Sequence, residues 1–182
     1  MRTVIAFLLG AWLLGTVLLG GVASENFFMI DRLMDSPSRS HPSFQKDAAQ
    51  LPPGEARVML RYVSSELNRF YFNVWGWFEL GLASLAVLLA VRGSMQTKFT
   101  IGLGVILGLV AVMTIYITPR ITEVGRGLDF VPRNPAPPSL AEFGMLHAAY
   151  SLMDLAKLGI GIWLGALLMR GEKRSSASTN AS

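Results

Sequence analysis

Four stretches of this 182-residue chain are long and apolar enough to cross a bilayer, and that leaves few folds open to it. Residues 3–24 carry no charge between Arg2 and Glu25. Residues 70–91 carry one, Glu79. Residues 99–119 carry none, and residues 143–169 carry Asp154 and Lys157 together with His147. A helix needs roughly 20 apolar residues to cross about 30 Å of hydrocarbon. Blocks of this length without strict alternation predict helices and argue against a β-barrel. A mean hydropathy of +0.45 and a hydrophobic content of 52% agree with that reading. The expectation is all-α: an integral membrane four-helix bundle, one four-span domain over residues 1–170, in a plasma or bacterial inner membrane.

The segments between the blocks set the rest of the layout. Arg2, the apolar run and Gly21-Val22-Ala23 also resemble a cleavable signal. A signal core is about 7–15 residues, however, and this run is longer, so the first block is read as a retained helix ending before Pro37. Residues 35–53 are rich in Pro and Ser and predict a mobile loop outside the membrane. Pro52-Pro53 then permits a helix start. From residue 54 to 70 the apolar positions Ala56, Met59, Leu60, Val63, Leu67 and Phe70 recur at helical spacing, with Arg57, Arg61, Ser64 and Asn68 on the other face. This predicts an amphipathic extension before the second span. With no breaker between them, the two form one rod of about 57 Å that projects outward or bends onto the membrane surface. Pro119 marks the exit of the third span and residues 120–139 a second loop. Ser139 and Glu142 form a capping box for the fourth span. Residues 171–182 read as a disordered polar tail.

Charge sorts the possible partners. The sequence pI of 9.8 does not imply nucleic acid, because Arg2, Arg69, Arg92, Lys98, Arg120 and Arg170 stand at block ends, where membrane proteins place them. No basic run or nucleic-acid motif is present. Basic residues close to the spans place both termini in the cytoplasm. The expected partner is the lipid bilayer, with self-association or another membrane protein left open. There is no cysteine, which removes disulfides and thiolate chemistry. No nucleophile elbow, zinc helix motif or phosphate loop occurs, so the chain is read as non-enzymatic and without a cofactor.

The polar residues inside the blocks are the candidate site. Charge in hydrocarbon costs about 3 to more than 10 kcal/mol per group, so it is rarely incidental. Glu79 and the Asp154–Lys157 pair lie near the middle of the second and fourth blocks, which run parallel, and so meet at similar depth. Lys157 stands about 20 Å from Arg170 along a helix, too far for snorkelling alone. His147, Ser151 and Asp154 recur at i, i+4, i+7, a polar stripe continued by Gly161 and Gly165. Two carboxylates against one ammonium leave a formal charge of −1, which a proton, a cation or water must accommodate. The cluster is open to three readings: a structural clamp, a proton, ion or solute path, and a metal or cofactor site, for which the ligand spacing is poor.

Other features have bland readings. Phe70, Tyr71, Phe72, Trp75 and Trp77 suit an interfacial belt. Asn26, Asn68 and Asn73 lie near the same membrane face. Ala11/Gly15, Ala86/Ala90, Gly104/Gly108 and Gly161/Gly165 are small-residue pairs suited to packing within the bundle.

Three places resemble a known family. Gly10-Ala11-Trp12 in the first span, Thr118-Pro119-Arg120 at the third exit, and Phe143, His147, Ser151 and Asp154-Leu155 in the fourth are similar to motifs of the transmembrane protein 205-like family, four-helix membrane proteins with a domain of unknown function. The chain has Asp154 where that pattern has Asn, and Ala148 where Gly is usual. The resemblance implies an integral membrane protein without an assigned activity, and draws interest to His147, Ser151, Pro119 and Arg120. The functional expectation is a small membrane-embedded binding or permeation unit for a proton, ion or small solute. The alternative is a non-catalytic scaffold or assembly subunit.

Overall fold

The computed structural model describes residues 1–179, the side chains of Pro37 and residues 171–179 excepted, and the described residues are helical with no strand. The long elements are α1 (Arg2–Asp35), α3 (Glu55–Arg92), α4 (Thr97–Val112), α5 (Thr118–Arg126) and α6 (Ser139–Thr179), with a short α2 (Pro42–Ala48) between the first two. A π-helical turn, Met113–Ile117, joins α4 to α5, so that one helical path runs Thr97–Arg126. Four helices are thus long and apolar enough to cross a membrane. The chain is a multi-pass membrane protein built as an all-α four-helix bundle. α1 and α4 each lie beside α3 and α6, which places α3 and α6 across the bundle from one another.

α3 is a single rod, as its unbroken sequence requires, and it starts where Gly54 takes φ +85°, a left-handed conformation that costs a residue with a Cβ. Its extension is turned opposite to a soluble amphipathic helix. Ser64 is buried against α1, where it donates to the Asn26 carbonyl, and Arg57 binds Asp31 and Asp35. Asn26 donates to Asn68 at 2.7 Å, and Asn68 donates to the Ala23 carbonyl at 2.9 Å, while Asn73 is exposed. Met59, Val63, Leu67 and Phe70 face outward. The end of α1 supplies polar partners to that face, so Arg57, Ser64 and Asn68 turn toward α1 and most of the apolar stripe turns outward, although Ala56 is buried and Arg61 is exposed.

Two expected loops prove partly helical. Residues 35–53 contain a 3₁₀ turn, Pro37–Arg39, and α2, which starts because His41 accepts from the Ser43 amide and Pro42 occupies the first turn. Residues 120–126 continue the third span as α5. Pro119 does not end the helix because the π turn just before it widens the path. Its ring then sits in the first turn of α5, where an N–H is not needed. The backbone of α6 is helical to Thr179, and the tail expectation for residues 180–182 lies outside the described residues.

The apolar core occupies the half of the bundle nearest the chain termini. Ile5, Leu9, Ala86, Ala90, Phe99, Leu103, Ile106, Val110, Leu164 and Leu168 are buried there. The small-residue pairs divide. Ala86 and Ala90 are buried in this core, Gly15 lets the Trp75 ring approach, and Gly161 receives Trp12, whose ring would lie 2.6 Å from a Cβ. Gly104 and Gly108 meet nothing and face outward, so that pair does not pack the bundle.

Candidate functional site

Where the apolar core ends, the centre of the bundle becomes polar. Glu79 of α3 is 2% exposed and Lys157 of α6 is wholly buried. Lys157 Nζ lies 2.8 Å from Glu79 Oε2 and 3.0 Å from Oε1, so the pair spans the bundle from one helix to the helix opposite. α1 completes the site. Trp12 Nε1 donates to Glu79 Oε1 at 2.7 Å, and Thr16 Oγ1 donates to the same oxygen at 3.0 Å. The Trp12 ring also lies 5.8 Å from Lys157 Nζ, within cation–π range. Asp154 binds Lys157 at 3.0 Å from one turn earlier on α6, with 28% of its side chain exposed.

Each charge therefore has partners. The Glu79 carboxylate receives an indole N–H, a hydroxyl and an ammonium, and Lys157 touches two carboxylates. Satisfied in this way, a buried pair is tolerable in hydrocarbon, and removing one member leaves an uncompensated charge. Asp154, part-exposed, carries the excess negative charge at the edge of the cluster and not at its centre.

Beyond this cluster, away from the termini, the helices part to form a cleft of 160 Å³. Phe27 of α1 lines it, with Ser65, Asn68, Arg69 and Phe72 of α3, Thr118, Ile121 and Thr122 of α5, and Phe143, His147 and Tyr150 of α6. The lining is mostly apolar. Phe72 meets Tyr150 edge-on at 5.5 Å, and His147 stacks over Phe143 at 6.0 Å. Thr118 is 8% exposed, and no hydrogen bond within the protein engages the hydroxyls of Ser65, Thr118 or Thr122 among the described residues. One turn earlier, Thr114 sits under Gly76 with its hydroxyl buried and unpaired.

An ionic rim closes this end. Arg69 meets Asp129 through two bonds of 2.7 and 3.1 Å and Glu66 through one of 2.6 Å. Arg126 binds Glu66 at 2.9 and 3.0 Å. Arg120 binds Glu142 at 2.7 and 3.0 Å and Glu123 at 2.8 Å. Glu66 stands beyond the second span. Hydrogen bonds from Arg126 and then Arg69 hold its carboxyl well below the usual range, at about 2.

The expected site residues divide among these places. Glu79, Asp154 and Lys157 meet. His147 is in the cleft instead, and Ser151 is exposed and bonds back to the His147 carbonyl at 2.9 Å, so the predicted stripe does not act as one unit. Arg120 belongs to the rim, and Pro119 sits in the first turn of α5. The aromatic belt also divides: Phe70 and Trp77 face outward, but Phe72 lines the cleft and Trp75 packs at Gly15.

Trp12 and Thr16 are the members of the cluster that inspection of charge missed. Trp12 was marked only through the Gly10-Ala11-Trp12 motif, and the pair shows in the sequence as two hydrogen-bond donors at i, i+4 inside an apolar block. Thr122 and Tyr150 were missed likewise, because an isolated hydroxyl carries little signal, and Thr118 was marked only as part of the Thr118-Pro119-Arg120 motif. Comparison of the chain with protein-family models, with curated proteins and with solved structures gave no match, so the functional reading rests on this geometry.

Proposed function

We propose that this protein is a membrane-embedded binding unit for a small solute, held in the cleft between α1, α3, α5 and α6. The observation that carries the reading is the cleft itself: a concave, mainly aromatic pocket with a few convergent polar groups, the usual form of a small-molecule site. The Glu79–Lys157 cluster is a floor about two turns further along α3 and α6, tying those helices together without lining the cleft itself. Binding is favoured over permeation by one chain because the buried core between the cluster and the termini offers no polar group to a moving ion. The reading is non-catalytic. We place the protein in a plasma or bacterial inner membrane with cytoplasmic termini, on the density of basic residues beside the spans. Membership of the transmembrane protein 205-like family is part of the same proposal and rests on the motif residues. Of these, Trp12 lies in the charged cluster, Thr118 and His147 lie at the cleft, and Arg120 lies on its rim.

The test is thermal unfolding of the purified full-length protein with a panel of small solutes, comparing wild type with Thr122→Phe, which fills the cleft. A solute that binds only the folded protein raises Tm by mass action. Stabilisation of wild type that is lost in Thr122→Phe supports the reading. A solute response equal in both, or none in either, defeats it.

One observation favours a second reading, a scaffold subunit. The α3 extension presents Val58, Met59, Tyr62, Val63 and Leu67 outward, an apolar face on a helix longer than the bilayer needs. Light scattering in mild detergent separates the two: a strict monomer that retains no partner on gentle purification counts against the scaffold.

A further inference from the structure

The cleft carries chemical information about its occupant, and this inference rests on the reading of the cleft as a binding site. Size comes first. A closed cavity of about 150 Å³ holds one benzene ring, and this cleft, at 160 Å³ and open on one side, has room for at least one. Its walls are rings, with Phe72 and Tyr150 meeting edge-on, a shape suited to the faces and edges of another ring.

Charge comes second. Arg69 is the one guanidinium on the wall, and its two bonds to Asp129 and one to Glu66 leave it occupied. Arg69 and Arg126 are balanced by Glu66 and Asp129, so this group is neutral in sum. No carboxylate lines the cleft. An anionic solute would have to displace Asp129 from Arg69. A cationic one would lose its hydration with no counter-charge to meet, which is costly in an apolar site.

Hydrogen bonding comes third. Thr118 is almost wholly buried, lines the cleft, and takes no part in the hydrogen bonds of the protein. Thr122 stands one turn along the same helix, likewise unpaired. The Thr118 hydroxyl, unlike that of Thr114, is not sealed off, and a solute with one polar group supplies it a partner.

We propose that the cleft takes an uncharged, single-ring aromatic solute bearing one hydroxyl group, which is hydrogen-bonded at Thr118 and packed against the Phe72–Tyr150 ring pair. A phenol is the simplest member of this class.

The experiment measures dissociation constants of phenol, toluene, benzoate, benzylamine and 1-naphthol for the full-length protein in detergent, with free concentrations corrected for partitioning into micelles. Wild type is compared with Thr118→Val, which keeps the side-chain shape, and with Thr122→Phe as the blocked cleft. Thr118→Val is expected to weaken phenol about 5-fold or more, the size of one net hydrogen bond, and to leave toluene within about 2-fold of its wild-type affinity. Benzoate and benzylamine bind at least about 10-fold more weakly than phenol, as burial of an unpaired charge requires.

Three results overturn the proposed class while leaving a binding cleft. The first is benzoate as the tightest probe, its affinity rising at lower pH and lost in His147→Ala, which would make this an anion site on His147. The second is phenol losing no more affinity than toluene in Thr118→Val. The third is 1-naphthol tighter than phenol, which would mark a larger groove of the kind a lipid chain fills. Failure of every probe to distinguish wild type from Thr122→Phe overturns the class and the binding reading together.

Discussion

Toward the chain termini, α1, α3, α4 and α6 meet through Ile5, Leu9, Ala86, Ala90, Leu103, Val110 and Leu164, with no polar group among them. From Glu79 and Lys157 to the opposite end, the same helices meet through an ion pair, a cleft and a rim of salt bridges. In lipid, burying leucine gains little over leaving it in the acyl chains, so apolar association depends on close fit. The terminal half achieves that fit with alanines at α3 and with Gly102, where a Cβ would lie 2.8 Å from Leu164. The other half cannot close in this way, because Phe27, Phe72, Phe143 and Tyr150 hold the helices apart. Directional bonds at the floor and the rim fix the spacing there. A pocket exists where geometry is set by bonds at its two ends and not by contact along its length.

Four experiments would break or sharpen that contrast. The largest effect is expected at the floor. Lys157→Met leaves Glu79 charged and short of its ammonium, and should destabilise by about 3–5 kcal/mol. Adding Glu79→Gln should recover most of that loss, because the wholly buried orphan charge is gone and Asp154, the other partner lost, is part-exposed; chemical unfolding of the single and double variants in detergent measures both. A double variant as unstable as the single would show that the pair is more than mutually compensating.

In the terminal half, Leu164→Ala removes a wholly buried side chain and should cost about 2–4 kcal/mol through the cavity it leaves. No partner substitution should rescue it short of refilling the volume, for example by a larger residue at Gly102. Rescue by refilling here and by neutralisation at the floor is the signature of the two kinds of half.

At the rim, Arg69→Ala strands Asp129 and part of Glu66, and should cost about 1–2 kcal/mol, since the side chains are partly wet. Arg120→Ala, more exposed, should cost less. High salt should narrow the difference from wild type at the rim and leave the floor unchanged. Equal salt sensitivity at both would erase the distinction between them.

The smallest effect is acid dependence at Glu66. Its carboxyl is held at about 2 in the folded protein, below the ordinary 4.5. A lowered folded value means that the stabilisation is present above the unfolded value and is lost as pH falls from about 4.5 toward 2. Tm measured over that window should fall less steeply for Glu66→Gln than for wild type. Parallel slopes would show that Glu66 is not the group concerned.

Much of the fold was legible because hydrophobic length is a one-dimensional property. The spans, the unbroken α3 and the depth match of Glu79 with Lys157 all follow from counting along the chain. The errors came where neighbours decide. Pro119 reads as an end, yet the π turn at Met113–Ile117 lets the helix pass through it. The amphipathic pattern of the α3 extension leaves open which face meets the bundle, and Asn26, Asp31 and Asp35 of α1 attract the polar one. His147 and Ser151 share a stripe with Asp154 on a helical wheel, but His147 faces the cleft and Ser151 donates to the His147 carbonyl one turn back.

By itself the sequence determined that this chain is a four-span helical membrane protein and that its buried charges had to find one another. Both conclusions follow from the cost of exposing backbone or charge to hydrocarbon, which holds whatever the packing. Only the tertiary structure decided which uncharged donors complete the cluster and where the helices part. Trp12 reaches Glu79 and Thr118 reaches the cleft through the rotation of each helix about its axis. That rotation is set by side chains on three other helices, and no single segment encodes it.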